Sequence, residues 1–376
     1  GSLATSVRHA AQDHQVQGTP VPVSFVVQTA RPGRRVDPSL AGLSYETLQL
    51  ADPKLFAADN HELVRLFRDL NPHGVLRIGG NTSDSTIWSE YRHRGALPAP
   101  RPRKYGANKP FQFVLQPQAL HALAGFLRAT GWRLVFGVNL RIGVPQMAVE
   151  LAQAAQRIVG DQLLAIQIGN EANNYEKYYA AFDAAWTPYA QAIRAAGVPV
   201  AGPDTGANTD WVIEYAHRHA AANVFLSRHD DRDAASNGSI AGLLAGDPEF
   251  MGEVEQIMRV ADQIRLPFRL TEANSYYDGG RDGVSDVFAS ALWGADFMLA
   301  LAQRGVAGIN FHGGPLHAID VSLGRSSVAS AGAGADLAAR RDAVSSHYSP
   351  IAGDVALGFQ PRPLYYGMQL AQQFAH

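Results

Sequence analysis

The chain alternates between short apolar runs and longer segments in which apolar residues recur every three or four positions. The short runs predict buried strands, and the longer segments predict amphipathic helices. The predicted strands occupy residues 40–47, 75–78, 133–139, 163–166, 198–201, 223–227, 266–270 and 308–311. The predicted helices occupy residues 60–70, 118–130, 149–159, 178–196, 211–222, 248–264, 287–304 and 364–374. Each strand is followed by a helix, eight times in succession.

This alternation predicts an α/β protein with a (β/α)₈ barrel, the TIM-barrel architecture. A doubly wound open sheet is the rival arrangement. Polar residues follow nearly every predicted strand, which favours closure, because such barrels carry their functional side chains past the carboxyl ends of the strands. A length of 376 residues with 46% hydrophobic residues is enough for one large barrel with a sizeable core.

Three segments fall outside the strand–helix repeat. Residues 20–29 alternate and are rich in valine, so they predict a further strand that belongs to an accessory domain. We therefore divide the chain into residues 1–38, a tail with this strand, and residues 39–376, the barrel. Two long loops, 82–113 and 317–363, interrupt the barrel, and loops of such length are usually functional or disordered.

The composition excludes several classes of function. The formal net charge of −2 argues against nucleic acid as the main partner. The sequence contains no cysteine, which excludes disulfides and cysteine-bound metals. It also contains no run of eighteen apolar residues, so it predicts no membrane-spanning helix.

Two of the predicted strands are followed by a glutamate. Glu171 comes after the fourth strand, directly after Asn170, and Glu272 comes after the seventh. These strand ends face each other across the mouth of a closed barrel. A retaining glycosidase needs a nucleophilic carboxylate and an acid/base carboxyl about 5–5.5 Å apart, and an amide such as that of Asn170 suits the sugar 2-hydroxyl. The competing explanation is that each glutamate only stabilises a helix N-terminus.

Five stretches, in order, resemble glycoside hydrolase family 79, the β-glucuronidase and heparanase family of clan A: LRIGGNTSD, IGNEANNY, LTEANSYYDGG, GINFHGGP and PRPLYYGMQLAQ. The likeness runs from about residue 40 to residue 374. It implies a retaining enzyme that cleaves β-linked glucuronic acid in glucuronides or heparan-sulfate-like glycans. Glu171 would be the acid/base and Glu272 the nucleophile. No cofactor or metal is implied, and a polymeric substrate implies a secreted or periplasmic location.

A glucuronide site needs donors for the sugar carboxylate. The backbone amides of Gly313 and Gly314 suit this role, because glycine lets a ligand approach the backbone closely. The hydroxyls of Tyr276, Tyr277 and Tyr348 are further candidates, and packing at the rim is the alternative for the adjacent pair.

Other candidates follow the first, second and eighth strands. The resemblance implies that Asn81 and Asp84 hydrogen-bond distal sugar hydroxyls, and formation of a turn is the alternative. His312 is either a substrate ligand or a structural histidine. Glu46 either contacts a sugar hydroxyl or forms a structural salt bridge.

The stretch 227–233, SRHDDRD, departs from the family, because many members carry His-Tyr-Tyr there. His229 is a substrate-binding candidate. Asp230 and Asp231 would put negative charge near Glu272 and disfavour an anionic substrate. This predicts an altered specificity or weakened catalysis. The same His/Asp cluster also fits a metal site with oxygen and imidazole ligands.

The first long loop carries the basic residues Arg92, Arg94, Arg101, Arg103, Lys104 and Lys109. It is either solvated or a rim that binds a polyanionic glycan through arginine forks. Family members also have a β-sandwich after the barrel, to which the strand at 20–29 would contribute. We expect that sandwich to have been removed or to lie on a separate chain. The alternatives to a glucuronidase are a catalytically impaired carbohydrate-binding barrel and another clan A β-glycosidase specificity.

Overall fold

The computed structural model describes residues 22, 24, 26, 28–92, 95–108, 112–326 and 334–375. Residues 1–33 and 34–376 form separate compact units. Within the described residues the strands are β1 (Ala41–Glu46), β2 (Val75–Gly79), β3 (Thr86–Trp88), β4 (Phe113–Leu115), β5 (Arg133–Val138), β6 (Leu163–Ile168), β7 (Val200–Thr205), β8 (Asn223–Asp231), β9 (Phe268–Asn274), β10 (Gly308–Gly313), β11 (Ile351–Asp354) and β12 (Gly358–Pro361). The helices are α1 (His61–Leu70), α2 (Pro117–Thr130), α3 (Pro145–Val159), α4 (Tyr179–Ala195), α5 (Thr209–His219), α6 (Ile240–Leu244), α7 (Pro248–Ile264), α8 (Phe288–Arg304), α9 (Leu316–Ser322), α10 (Leu337–Ala343) and α11 (Pro363–Gln372).

Eight of these strands close into a parallel barrel in the order β1, β2, β5, β6, β7, β8, β9 and β10, and β10 pairs again with β1. The closure confirms the predicted (β/α)₈ barrel and rules out the open doubly wound sheet. The remaining described strands form two small sheets, in which β3 pairs with β4 and β11 pairs with β12. These sheets belong to the two long loops that interrupt the repeat.

The helix boundaries follow local capping chemistry. Asn60 and Asp247 each accept a hydrogen bond from the backbone amide three residues further on, at the starts of α1 and α7. Gly131 and Gly305 end α2 and α8 in the left-handed conformation, which glycine adopts without a steric penalty. Because these signals are local, the sequence locates the helices to within a few residues.

Polarity rises along the barrel strands toward their carboxyl ends. Val75 and Ala165 belong to a small buried apolar cluster that is separate from the main core. Two residues further along the same strands, and therefore on the same face, come Arg77 and Gln167, which are also fully buried. The apolar layer is thus followed by a polar layer on the side where the functional site lies.

Several barrel strands run further than the sequence predicted, and β7, β8 and β9 each end four residues later. β8 continues to Asp231 and β9 continues to Asn274, because the two strands stay paired, through a bulge after Arg228, until Asp231 lies opposite Asn274. The strand predicted at residues 223–227 is therefore too short at its carboxyl end. As a consequence, the side chains at this end of β8 are positioned by the hydrogen bonds of the barrel itself.

The predicted strand at residues 20–29 falls partly on residues outside those that are described. Its described positions 22, 24, 26, 28 and 29 are exposed and belong to no strand. The accessory strand therefore stays a prediction. In the part of the chain that the structure describes, no helix combines the length and the apolarity needed to cross a membrane.

Candidate active site

A cavity of about 610 Å³ lies at the carboxyl ends of the barrel strands. Its lining includes Glu46 at the end of β1, Glu171 after β6, Asp231 at the end of β8, Glu272 in β9 and Tyr348 from the loop after α10. Active sites of TIM-barrel enzymes are found at this face. The cavity is therefore the candidate active site.

Glu171 and Glu272 meet across this cavity. A carboxylate oxygen of each lies within 4.8 Å of the other and of a ring nitrogen of His229. Glu171 has a left-handed backbone conformation, with φ of 47°, which costs a non-glycine residue on the order of 1 kcal/mol or more. Its backbone N–H donates to the Asp204 carbonyl at 2.9 Å, and Nδ2 of Asn174 donates to its Oε2 at 2.8 Å. The neighbouring elements thus fix both the backbone and the carboxylate of Glu171.

Arg77 of β2 and Asp204 of β7 form a fully buried ion pair next to the glutamates. Nη2 of Arg77 lies 2.7 Å from Oδ2 of Asp204, and Nη1 donates to Oε2 of Glu272 at 2.5 Å. Nη2 also donates to Oδ1 of Asn170 at 2.7 Å. The guanidinium therefore pairs with the carboxylate of Glu272 and also contacts Asp204 and Asn170.

Neither Arg77 nor Asp204 was among the residues singled out from the sequence. Arg77 lies inside a predicted strand, between Leu76 and Ile78. An arginine in such a buried run indicates a charged partner nearby in the fold, because an isolated buried charge is costly. Asp204 lies just beyond the predicted strand 198–201. It is recognised as a buried charge in a strand only once β7 is known to extend to Thr205.

His229 connects the two halves of this network. Its Nδ1 lies 2.9 Å from Oε1 of Glu171, and its Nε2 lies 2.7 Å from Oδ1 of Asp204. Burial alone would lower the pKa of His229, but the charges of Asp204 and Glu272, together with these hydrogen bonds, raise it to about 10. The ring is therefore an imidazolium at neutral pH and donates from both nitrogens. The residues Glu171, His229 and Glu272 also have the side-chain types of a metal site, but both ring nitrogens of His229 already lie within hydrogen-bond distance of carboxylates.

The His229 imidazolium in turn lowers the pKa of Glu171. Burial alone would raise the pKa of Glu171, but the hydrogen bond and the charge of His229 outweigh burial and lower it, with a further contribution from Arg103. The pKa of Asp204 is likewise held below its usual range, because the charges of Arg77 and His229 overcome the effect of burial. Both carboxyls are therefore ionised at neutral pH.

Five of the predicted substrate-binding residues line the cavity: Asn81, His229, Tyr277, His312 and Tyr348. Tyr277 is 42% exposed, whereas His229 and His312 are almost completely buried. Nδ1 of His312 shares a hydrogen bond of 2.7 Å with the Ser44 hydroxyl. Burial raises the pKa of Tyr348 well above its usual range, and the charges of Glu272 and Asp231 raise it further, so its hydroxyl stays a donor.

The other five substrate-binding candidates do not line the cavity: Asn170, Asp84, Tyr276, Gly313 and Gly314. The hydroxyl of Tyr276 donates to the Ser239 carbonyl at 3.1 Å. The N–H of Gly314 donates to the Ser349 hydroxyl at 2.9 Å, so this amide is already engaged within the protein. The Gly314 amide is therefore not free to bind a sugar carboxylate, and the role of Gly313 stays a prediction.

Asp84 and Asn170 act inside the wall of the cavity. The carboxylate of Asp84 accepts from the backbone amides of Leu140 and Asn170, at 3.1 Å and 3.0 Å. The side chain of Asn170 accepts from Arg77 and donates to Oδ1 of Asn81 at 3.1 Å. Asp84 thus positions the chain directly before Glu171, and Asn170 connects the buried arginine to a residue of the lining.

The two aspartates at the end of β8 carry less negative charge than the sequence suggested. Burial raises the pKa of Asp230 to about 7, against the opposing charge of Arg228, whose Nη2 lies 3.5 Å from its Oδ1. Burial also raises the pKa of Asp231 well above its usual range, and repulsion from Glu272 and Asp230 adds to this. The protonated form of Asp231 is therefore favoured beside Glu272.

Comparison with curated proteins finds short similarities. No protein-family model matches the chain. A β-glucuronidase of Neurospora crassa is 39% identical over 57 residues, which are 15% of this chain and 10% of that protein. A β-glucuronidase of Aspergillus niger is 41% identical over 49 residues, 13% of this chain and 9% of that protein. The similar stretches therefore span about a tenth of the length of each fungal enzyme.

Comparison with solved structures finds the same fold. The 4-O-α-L-rhamnosyl-β-D-glucuronidase from Fusarium oxysporum 12S, in its Rha-GlcA complex, superposes with a TM-score of 0.67 at 16% identity, covering 90% of this chain and 70% of that one. A family 51 arabinofuranosidase from Xanthomonas axonopodis pv. citri superposes with a TM-score of 0.54 at 13% identity, covering 92% and 75%. At these identities the likeness establishes the barrel fold, which the chain shares with glycoside hydrolases.

Proposed function

We propose that the protein is a retaining glycosidase that cleaves β-linked glucuronides. The observation that carries this proposal is the pair of carboxylate oxygens, on Glu171 and Glu272, within 4.8 Å of each other across the cavity. Retaining enzymes have their two carboxyls about 5–5.5 Å apart, whereas inverting enzymes need about 6.5–9.5 Å to admit a water molecule. The short separation therefore favours double displacement.

The surroundings of the two glutamates suit different roles. Glu272, paired with Arg77, is the anionic nucleophile that attacks the anomeric carbon. Glu171 gives its proton to the glycosidic oxygen as the bond to the leaving group breaks. Glu171 then takes a proton from water, which attacks the glycosyl-enzyme and releases the sugar with retained configuration and Glu272 as a free carboxylate. Because His229 lowers the pKa of Glu171, we expect the first step to be fastest at acidic pH.

The choice of a glucuronide is supported by the family resemblance of the motifs and by the named activities of the fungal relatives. The first long loop uses part of its positive charge inside the protein, which lessens the support for a polyanionic glycan as substrate; Arg94 and Lys109 lie outside the described residues. Arg101 donates to the Glu176 carboxylate and to the Leu140 carbonyl, and Arg103 is buried against the ring of Tyr175. Two of the basic side chains are therefore used inside the protein. A secreted or periplasmic location stays a prediction.

The first test is hydrolysis of 4-nitrophenyl β-D-glucuronide beside the matched β-D-glucoside and β-D-xyloside. We expect turnover of the glucuronide, with the β-anomer of glucuronic acid appearing first in proton NMR. Initial release of the α-anomer would contradict the retaining mechanism. Preferred turnover of the glucoside or xyloside would identify another β-glycosidase specificity, and sugar binding without turnover would identify an impaired barrel.

The second test assigns the two roles. In Glu272→Ala, azide added to the reaction should replace the missing nucleophile and give the α-glycosyl azide. In Glu171→Ala, azide should replace the activated water and give the β-glycosyl azide. Glu255→Ala, which removes an exposed carboxylate on α7, should behave as the unaltered protein. The same azide product from both active-site variants would refute the assignment.

A further inference from the structure

In the proposed reaction, the substrate carboxylate would enter a cavity that already carries carboxyl side chains. A glucuronide carries a carboxylate into a cavity whose lining contains six carboxyl side chains: Glu46, Glu171, Asp230, Asp231, Glu272 and Asp278. The lining residues include neither lysine nor arginine in the part of the chain that the structure describes. An ionised sugar carboxylate would therefore need neutral donors.

The two cations in contact with the glutamates, Arg77 and His229, are already engaged. Arg77 donates to Glu272, Asp204 and Asn170. Both nitrogens of His229 are within hydrogen-bond distance of carboxylates of the protein. Use of Arg77 or His229 as a cationic partner for the sugar carboxylate would take it from these interactions, at the cost of leaving a buried carboxylate without its partner.

Asp231 stands out because its Oδ1 is buried and has no hydrogen-bond partner among the described residues. It is the last residue of β8, lies opposite Asn274 of β9, and lines the cavity. The titratable groups whose charges act on it are Glu272 from β9, Glu171 from the segment after β6, Tyr348 from the loop before β11, Tyr277 from the loop after β9, and Asp230 and His229 from its own strand. An unpartnered carboxyl oxygen near Glu272, Glu171 and Asp230 is a poor place for negative charge, and the opposing charge of His229 does not outweigh burial and these carboxylates.

We propose that Asp231 determines specificity as a neutral carboxylic acid, whose O–H donates a hydrogen bond to the carboxylate of a bound uronic acid. This inference rests on the proposed function and deepens it. The protonated state is consistent with the pKa of Asp231, which burial and its anionic neighbours raise well above the usual range. Tyr348, also protonated and in the lining, is a second neutral donor. A buried carboxylic acid kept neutral to donate a hydrogen bond has a precedent in enzyme chemistry.

The proposal predicts how specificity depends on pH. As the pH rises, Asp231 loses its proton, and its O–H donor is replaced by a charge that repels the uronate. The ratio of kcat/KM for 4-nitrophenyl β-D-glucuronide to kcat/KM for the matched glucoside should therefore be higher at acidic pH than at alkaline pH, by roughly tenfold or more. Both substrates are measured on the same enzyme. The ionisation of the two glutamates and any change in the folded fraction therefore affect both kcat/KM values equally and cancel in the ratio.

Three variants test the residue. Asp231→Asn keeps the shape and an uncharged donor at every pH, so the ratio should stay high and lose its pH dependence. Asp231→Leu removes the donor, so the ratio should be low throughout. Asp282→Asn, an exposed aspartate of the loop after β9 that does not line the cavity, should retain the original profile. An unchanged profile in Asp231→Asn, or an unchanged ratio in Asp231→Leu, would overturn the proposal.

A binding measurement separates this inference from the proposed reaction. D-Glucuronate and D-glucose are titrated into the unaltered protein and into Asp231→Asn at acidic and alkaline pH. If glucuronides are not hydrolysed, the proposed function fails. Preference for glucuronate that is lost at alkaline pH, and kept there by Asp231→Asn, would still support the role of Asp231. No preference at either pH would overturn it.

Discussion

Replacing His229 by glutamine removes the cation that faces Glu171, and it provides the sharpest test of the electrostatics of the site. The imidazolium donates to Glu171 on one side and to Asp204 on the other. Glutamine can still donate one hydrogen bond but carries no charge. Because His229 lowers the pKa of Glu171, the variant should have a Glu171 with a higher pKa.

The size of the effect follows from the geometry. Two unit charges about 4 Å apart interact by about 4 kcal/mol at an effective dielectric constant of about 20, which corresponds to about 3 pKa units as an upper limit. Glu171 is 23% exposed to the cavity, so solvent screens part of this interaction. We expect a rise of roughly one to two pKa units.

The assay is the pH dependence of kcat/KM on an aryl glucuronide with a poor leaving group. General acid catalysis requires protonated Glu171, so activity falls as the pH rises through its pKa. In His229→Gln this alkaline limb should move to higher pH by about the same one to two units. On a dinitrophenyl glucuronide, whose leaving group needs no proton, the limb should hardly move.

Two controls separate charge from damage to the fold. His219→Gln removes a similar histidine–aspartate pair, with Asp183, away from the cavity, and it should leave the pH profile unchanged. His229→Gln should also lose about 3 kcal/mol of stability, because Asp204 keeps its burial and loses a partner, so activity is measured where the variant is fully folded. A limb that stays in place, or moves to lower pH, would refute the reasoning.

Three further predictions concern the same network. Arg77→Met should cost about 3–5 kcal/mol in urea unfolding, whereas Arg65→Met, at an exposed pair on α1, should cost less than about 1 kcal/mol. Because the pKa of Asp204 is lowered in the folded protein, its carboxylate stabilises the fold above the unfolded-state pKa, and this contribution is lost as the pH falls. In thermal unfolding, Asp204→Asn should therefore be less stable than the unaltered protein at neutral pH, and its stability should depend less on acid. Tyr348→Phe should lower kcat/KM on the glucuronide by roughly tenfold, whereas Tyr276→Phe should change only stability, because its hydroxyl contacts Ser239.

The glutamates were found from the sequence because their signal is local. Each follows a short apolar run directly, and in a parallel barrel that position determines which face of the fold the side chain reaches. The substrate candidates were less certain, since residue type and strand end do not show whether a donor is free. Gly314 follows β10 as expected, yet its amide is bonded to Ser349, 35 residues further along the chain.

The sequence by itself determined the elements of this protein and the face that carries its chemistry. Hydrophobic period, helix caps and strand-end polar residues are properties of neighbouring positions, so they are visible before folding. Only the tertiary structure decided the charge of the site. Arg77, Asp204 and His229 come from three different strands, and closure of the barrel brings them within about 3 Å of one another. Their protonation states follow from burial and mutual distance, which no stretch of sequence contains.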